Sequence, residues 1–257
     1  MKSFYPALCL FLLLVGCAPS EPDVAPVEST LPELTSRADS LAMRALEASG
    51  GEMALRSIPY LAFNFGSAPR GRRHLWDRMS GDYRLEYSRG DTAVVVLFNT
   101  QTREGAAYRD GALAADSEAL VTRAYGAFIN DSYWLMMPVK MLDPGVTRAL
   151  VPDSSSAEFE VVKLSFDNVG LTPGDTYYVY VDRETGMVRR WHYVLQSGSQ
   201  NRCDWAEYQE LAGPRGAVKL SSRKDCTRSQ LMTDGLATPA TVPEGAFTDP
   251  SPMTAEA

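Results

Sequence analysis

The side chains best able to do chemistry are few, and their spacing does not suit it. His74 and His192 are the only histidines in 257 residues, too few for a His-rich metal centre. Neither belongs to a His-Glu-x-x-His pair, and the chain has no nucleophile elbow and no Cys-x-x-Cys. His74 stands among Arg72, Arg73, Trp76, Asp77 and Arg78, where it could act as a general base. The simpler placement is on the polar face of a strand, and His192, between Trp191 and Tyr193, has the same setting. Gly66-Ser67-Ala68-Pro69-Arg70-Gly71-Arg72-Arg73 has two glycines spaced as in a phosphate loop but lacks the Lys-Ser/Thr that follows them. Pro69 also removes a backbone donor, so the stretch reads as a hairpin turn with a basic edge. With 25 Lys+Arg against 32 Asp+Glu the net charge is −7, which argues against non-specific nucleic-acid binding. No catalytic residue, metal site or cofactor is assigned, and a non-enzymatic role is expected.

The cysteines say more. Lys2 and the apolar stretch Phe4 to Val15 have the form of a signal sequence, too short for the roughly 20 residues of a spanning helix. The stretch ends in Leu14-Val15-Gly16-Cys17, which resembles the lipobox of bacterial lipoproteins. That resemblance implies a signal peptide over 1–16, removed before Cys17, and a thiol that takes a diacylglyceryl group, with fatty acids such as palmitate on the residue. Two or three acyl chains suffice for stable anchoring. Ala18 in place of an Asp implies the outer membrane, with the domain facing the periplasm. Loss of the signal removes Cys9 and leaves Cys203 and Cys226 as an even pair in an exported chain. A hairpin turning at Pro214-Arg215 sets Leu211 opposite Val218 and Cys203 opposite Cys226, within disulfide reach.

The elements around these residues follow from pattern. Residues 17–34 alternate prolines with acids and form a tether, 35–250 form one domain, and 251–257 form a disordered tail. Ser36 and Asp39 begin a helix whose apolar face holds Ala38, Leu41, Ala42, Ala45 and Leu46, and Gly50-Gly51 ends it. Strand alternation follows at Tyr83-Leu85-Tyr87, and Ala93 to Phe98 reads as a strand covered on both sides. A parity slip between Val161 and Val162 suggests a bulge. Tyr177 to Val181, the turn Asp182–Gly186 and Met187 to Leu195 make a hairpin. Helical spacing covers Ala114 to Ile129. Tyr133 to Leu142 is densely apolar, and Pro138 is expected to deny it a regular helix. The fold class is mainly β (α+β), a curled antiparallel sheet or unclosed half-barrel with an N-terminal helix and a helical lid. A sheet of roughly nine to eleven strands must curl, close or split.

Several segments are similar to periplasmic lipoprotein-carrier-like (Lol-type) proteins: the helix ending in Gly50-Gly51 before Ile58-Pro59-Tyr60-Leu61-Ala62-Phe63, the stretch Tyr177-Tyr178-Val179-Tyr180-Val181-Asp182-Arg183-Glu184-Thr185-Gly186, and the exit Pro243-Glu244-Gly245-Ala246-Phe247 before Pro250. Ser132-Tyr133-Trp134-Leu135-Met136-Met137-Pro138 resembles a segment of lipoproteins of this kind. The resemblance implies an unclosed half-barrel whose cavity takes acyl chains. Anchoring through Cys17 suits a fixed binder better than a soluble shuttle. Tyr133, Trp134, Leu135, Met136, Met137 and Met141 of the lid, with Tyr178 and Tyr180 of the sheet, are the candidate cavity residues. The expected partners are the membrane, a lipid or acyl ligand, and an envelope protein. The alternative is an envelope interaction or sensor domain with a self-filled core. Cys17→Ser should abolish incorporation of radiolabelled palmitate, because serine lacks the thiol that accepts the lipid. Labelling at the wild-type level would contradict the lipobox assignment.

Overall fold

The structure, a computed structural model, describes residues 31–67, 71–167 and 169–253. The signal peptide, Cys17, most of the tether, residues 68–70 of the glycine-flanked turn and the last four residues of the tail lie outside the described residues.

Helix α1 (Arg37–Ala48) starts at a capping box. Ser36 Oγ accepts from the Asp39 amide at 3.1 Å, and Asp39 Oδ2 accepts from the Ser36 amide at 3.0 Å. Burial pushes the Asp39 carboxyl up, but hydrogen bonds from Arg148, Ser36 and Thr35 pull it down to about 2. The cap is thereby tied to the rest of the domain. Gly50, at φ 116°, closes the helix where any Cβ would meet the Ala217 carbonyl oxygen at 2.3 Å. Glycine is required there on both counts. A short helix α2 (Gly51–Ser57) follows.

Among the described residues, thirteen strands then run as two sequential antiparallel meanders. The first contains β1 (Tyr60–Phe65), β2 (Arg72–Asp77), β3 (Asp82–Arg89), β4 (Thr92–Asn99), β5 (Gly105–Arg109) and β6 (Ala112–Leu113). The second contains β7 (Val146–Leu150), β8 (Phe159–Phe166), β9 (Thr176–Asp182), β10 (Val188–Val194), β11 (Gln200–Leu211), β12 (Val218–Cys226) and β13 (Ser229–Met232). After β13 the chain runs along β1. The Gly66 amide donates to Met232 O at 2.9 Å and the Asn64 amide to Asp234 O at 2.7 Å, and Ala62 and Ala237 exchange bonds of 2.9 and 3.0 Å. The meanders meet at this seam, while β6 and β7 remain separate edges. The fold is an unclosed, mainly β half-barrel.

Helix α3 (Ser117–Lys140) connects those two edges and packs on the inner faces of both meanders. Its first half buries Leu120, Val121, Ala124 and Phe128 against Tyr83, Leu85, Val94, Val96 and Phe98. Its second half, with α1, buries Leu135, Met137 and Val139 in the core formed with Val162, Leu164, Val179 and Val181.

Three expectations are corrected. Pro138 does not interrupt the helix, which is continuous to Lys140. The proline sits in the last turn and deletes one intrahelical bond, a cost offset by full burial of Leu135 and Met137 beside it. There is no bulge at Val161: β8 and β9 keep one register from Phe159 to Leu164, and Val161 and Val162 are both fully buried because both faces are covered. The register shift lies instead between Val188 and Arg190. The tail is docked as far as Met253. Arg84, 2% exposed, donates to the carbonyls of Ala246 at 3.0 Å, Asp249 at 2.7 Å and Ser251, and the Met253 amide donates to Glu86 at 3.0 Å. A buried guanidinium needs acceptors, and the tail's backbone supplies them.

The β11–β12 register sets Cys203 opposite Cys226 and Leu211 opposite Val218, and a disulfide joins the cysteines. Closing a loop with a sequence separation of 23 stabilises the domain by roughly 3 kcal/mol on the chain-entropy estimate. Alkylation of the denatured protein without reductant should label neither cysteine, and reduction should lower the unfolding midpoint. Labelling of both without reductant would exclude the bridge.

Candidate functional site

Between α3 and the second meander lies a cavity of about 620 Å³. Phe128, Ser132, Met136 and Lys140 recur every four residues of α3 and face it, with Tyr133 and Trp134 beside them. Opposite stand Phe166 of β8, Tyr177 of β9, and Trp191 and Tyr193 of β10, all on the inward parity of their strands. Trp76 of β2 closes one end, 5.1 Å from Phe128 edge-to-face. The connections Asp143–Val146 and Val169–Asp175 complete the wall.

The rings form a continuous set. Trp134 lies 4.4 Å from Trp191 and 5.8 Å from Tyr193, Tyr177 lies 4.8 Å from Trp191, and Tyr133 lies 5.6 Å from Tyr177. Edge-to-face and tilted pairs at these separations are favourable, and they hold the wall in shape. The charged groups of the lining are satisfied by the protein itself. Lys140 Nζ pairs with Asp143 at 2.5 Å. Asp175 accepts from Thr172 Oγ1 at 2.6 Å, Tyr177 Oη at 3.2 Å and the Gln196 amide at 2.9 Å. By contrast, Trp76 Nε1, Trp191 Nε1 and the Tyr133 hydroxyl are buried without a hydrogen-bond partner. Burial pushes the Tyr133 phenol well above its usual pKa, so it remains protonated.

The candidate residues divide three ways. Tyr133, Trp134 and Met136 line the cavity. Leu135, Met137 and Met141 are fully buried in the core beside it, on the other side of the helix or past its end. Tyr178 and Tyr180 lie on the outer face, where Tyr178 stacks on His192 at 5.5 Å and Tyr180 lies under Arg190 at 5.6 Å. Both parities of β9 are aromatic, so the sequence pattern did not show which one faced inward. Tyr177, one residue earlier, takes the inward place.

His74 also differs from expectation. It is fully buried, stacked at 4.3 Å on Phe63, in a polar group at the centre of the domain. Arg72 forks onto Asp131 of α3 at 2.6 and 2.9 Å, and Asn130 Nδ2 donates to the same carboxylate at 2.8 Å. The Tyr83 hydroxyl is 2.8 Å from His74 Nδ1. As the donor there, it leaves the imidazole N–H on Nε2, 3.1 Å from Asp131 Oδ2 though poorly aligned with it. Burial pushes the His74 pKa below the usual 6.5, outweighing the pull of Asp131, and the Arg72 charge adds to the depression. Burial raises the Asp131 carboxyl, but hydrogen bonds and charge from His74 and Arg72 bring it below its usual value. Asp131 falls between the helical spacing of Ala114 to Ile129 and the apolar stretch from Tyr133, where the sequence pattern carries no signal for it. Among the described residues, no group of three or more His, Cys, Asp or Glu could hold a metal, and no helix is long and apolar enough to cross a membrane.

No known protein family matches the sequence, and no curated protein matches it. Solved structures do resemble it. A DUF1329 family protein from Desulfovibrio piger is 9% identical, with 83% of this chain and 98% of that chain covered at a TM-score of 0.44. A LolA superfamily protein from Nitrosomonas europaea is 12% identical, with 84% and 99% covered at 0.40. A domain from Vibrio parahaemolyticus, described as an outer membrane lipoprotein-sorting protein, is 10% identical, with 81% and 95% covered at 0.39. No functional residue is transferred from them.

The His74 environment has a pH consequence. Its folded pKa is depressed, so the unfolded chain takes up the proton first. The resulting stability is complete above about pH 6.5 and is lost as pH falls toward the folded value. Asp131, also depressed, contributes above the usual carboxylate range and is lost only at lower pH. The urea midpoint should therefore fall between pH 7.5 and pH 5, and His74→Gln should flatten that fall. Asp131→Ala, which strands Arg72 and His74, should cost about 3 kcal/mol at pH 7.5.

Proposed function

We propose that this protein is a membrane-anchored, non-enzymatic binding protein of the cell envelope that holds an apolar ligand between α3 and the second meander. The observation that carries this reading is the aromatic-walled cavity of about 620 Å³. Ligand pockets are concave, mostly apolar, and carry a few polar groups, and spaces of roughly 300–1,000 Å³ suit small molecules. A domain that fills its own sheet would leave no such space, so the cavity favours ligand binding over a purely protein-docking role. Anchoring through lipidated Cys17 in the outer membrane, with the domain in the periplasm, rests on the lipobox resemblance and belongs to the same proposal. A disulfide between Cys203 and Cys226 suits an oxidising compartment. An envelope protein that delivers or receives the ligand would complete the function.

Trp134→Asp places a carboxylate on the cavity wall, where an unpaired charge is disfavoured. Fluorescence enhancement of the uncharged dye N-phenyl-1-naphthylamine should be saturable with the wild type and fall at least ten-fold in affinity in the variant. The unfolding midpoint should move less than for a substitution in the dry core such as Leu135→Asp. If Trp134 served only to fill a core, the wild type would not bind the dye, and Trp134→Asp would lose several kcal/mol of stability.

A further inference from the structure

The cavity wall is composed in a way that selects among apolar ligands. Eight of its lining residues are aromatic, and they include three of the four tryptophans in the chain, Trp76, Trp134 and Trp191. A wall needed only to exclude water could be built from aliphatic side chains, which make up most of the neighbouring core. Aromatic side chains instead present flat faces and polarised edges, which reward another ring set against them at a defined offset. A flexible alkyl chain gains no such geometry, and it loses rotational freedom on binding that a rigid ring never had.

The charges narrow the choice further. Among the described residues of the lining Lys140 is the one cation, and Asp143 neutralises it at 2.5 Å. Asp175 leaves the wall with a net negative charge, held in place by three hydrogen-bond donors. A carboxylate or phosphate headgroup therefore finds no free cation and meets an unfavourable field.

We infer that the ligand is a rigid, planar, ring-bearing compound without an anionic group, in preference to a fatty acid or another straight acyl chain. The inference rests on the cavity being a ligand site, as proposed above.

Two uncharged alcohols of similar apolar size separate the cases by titration calorimetry on the full domain: 9-phenanthrenemethanol and 1-dodecanol. The ring alcohol should bind at least ten-fold more tightly than dodecanol, and 9-phenanthrenecarboxylate at least five-fold more weakly than the ring alcohol. Trp134→Leu should weaken the ring alcohol by five-fold or more while leaving dodecanol within two-fold, and Tyr193→Leu supplies the same comparison if Trp134→Leu does not fold. Dodecanol binding as tightly as the ring alcohol, or the carboxylate matching the alcohol, would overturn the ring preference and leave the cavity a ligand site. Binding of neither alcohol would overturn the ligand site itself and this inference with it.

Discussion

A long antiparallel meander curls, and its concave apolar face must be covered by something the same chain provides. That constraint organises this protein. The cover is α3, inserted between the two meanders so that one helix serves both. It is held by more than apolar contact. Midway along it, Asp131 is gripped by the Arg72 fork from β2, with His74 and Asn130 against the same carboxylate. A buried carboxylate is tolerable only where such partners exist, so α3 cannot slide or rotate along the sheet without stranding a charge. The position of the helix is therefore set by polar geometry and its adhesion by apolar area.

The cavity is a consequence of that positioning. The first half of α3 lies close on the first meander and leaves no space, with Phe128 packed edge-to-face on Tyr83 at 4.8 Å. Beyond Asp131 the helix faces the aromatics of β9 and β10, and the cavity lies among their rings. Gly145 helps to bound the space: a Cβ there would collide with Val169 at 2.4 Å, so its absence lets the two connections that close the wall approach each other.

Other buried charges follow the same rule of internal satisfaction. Lys224, fully buried, donates to Ser221 O and Thr233 Oγ1 at 2.7 Å each and lies 4.6 Å over the Trp205 ring. Burial pushes its pKa well below the usual value. Glu160 on the inner face of β8 is paired with Arg37 of α1 at 2.5 Å and Arg183 at 3.3 Å. On the outer face Arg84 binds the C-terminal segment through its carbonyls. These contacts fix α1, the seam and the tail to the sheet.

Sequence by itself determined whatever depends on near neighbours. The Ser36–Asp39 capping box, the glycine stop at Gly50, the inward alternation of Tyr83 and Leu85, and the Cys203–Cys226 register all arise within one turn, one strand or one hairpin, where spacing dictates contact. Only tertiary structure decided which parity of β9 faced inward, because both are aromatic and the choice is made by α3, which packs on one of them. Tyr177 therefore lines the cavity, and Tyr178 does not. Pro138 stays helical because its surroundings bury Leu135 and Met137, a gain invisible in local propensity. Arg72 and Asp131 are 59 residues apart, and Arg84 and Ser251 are 167 apart. No periodicity links such positions: each charge is intelligible only beside its partner, and folding alone brings the two together.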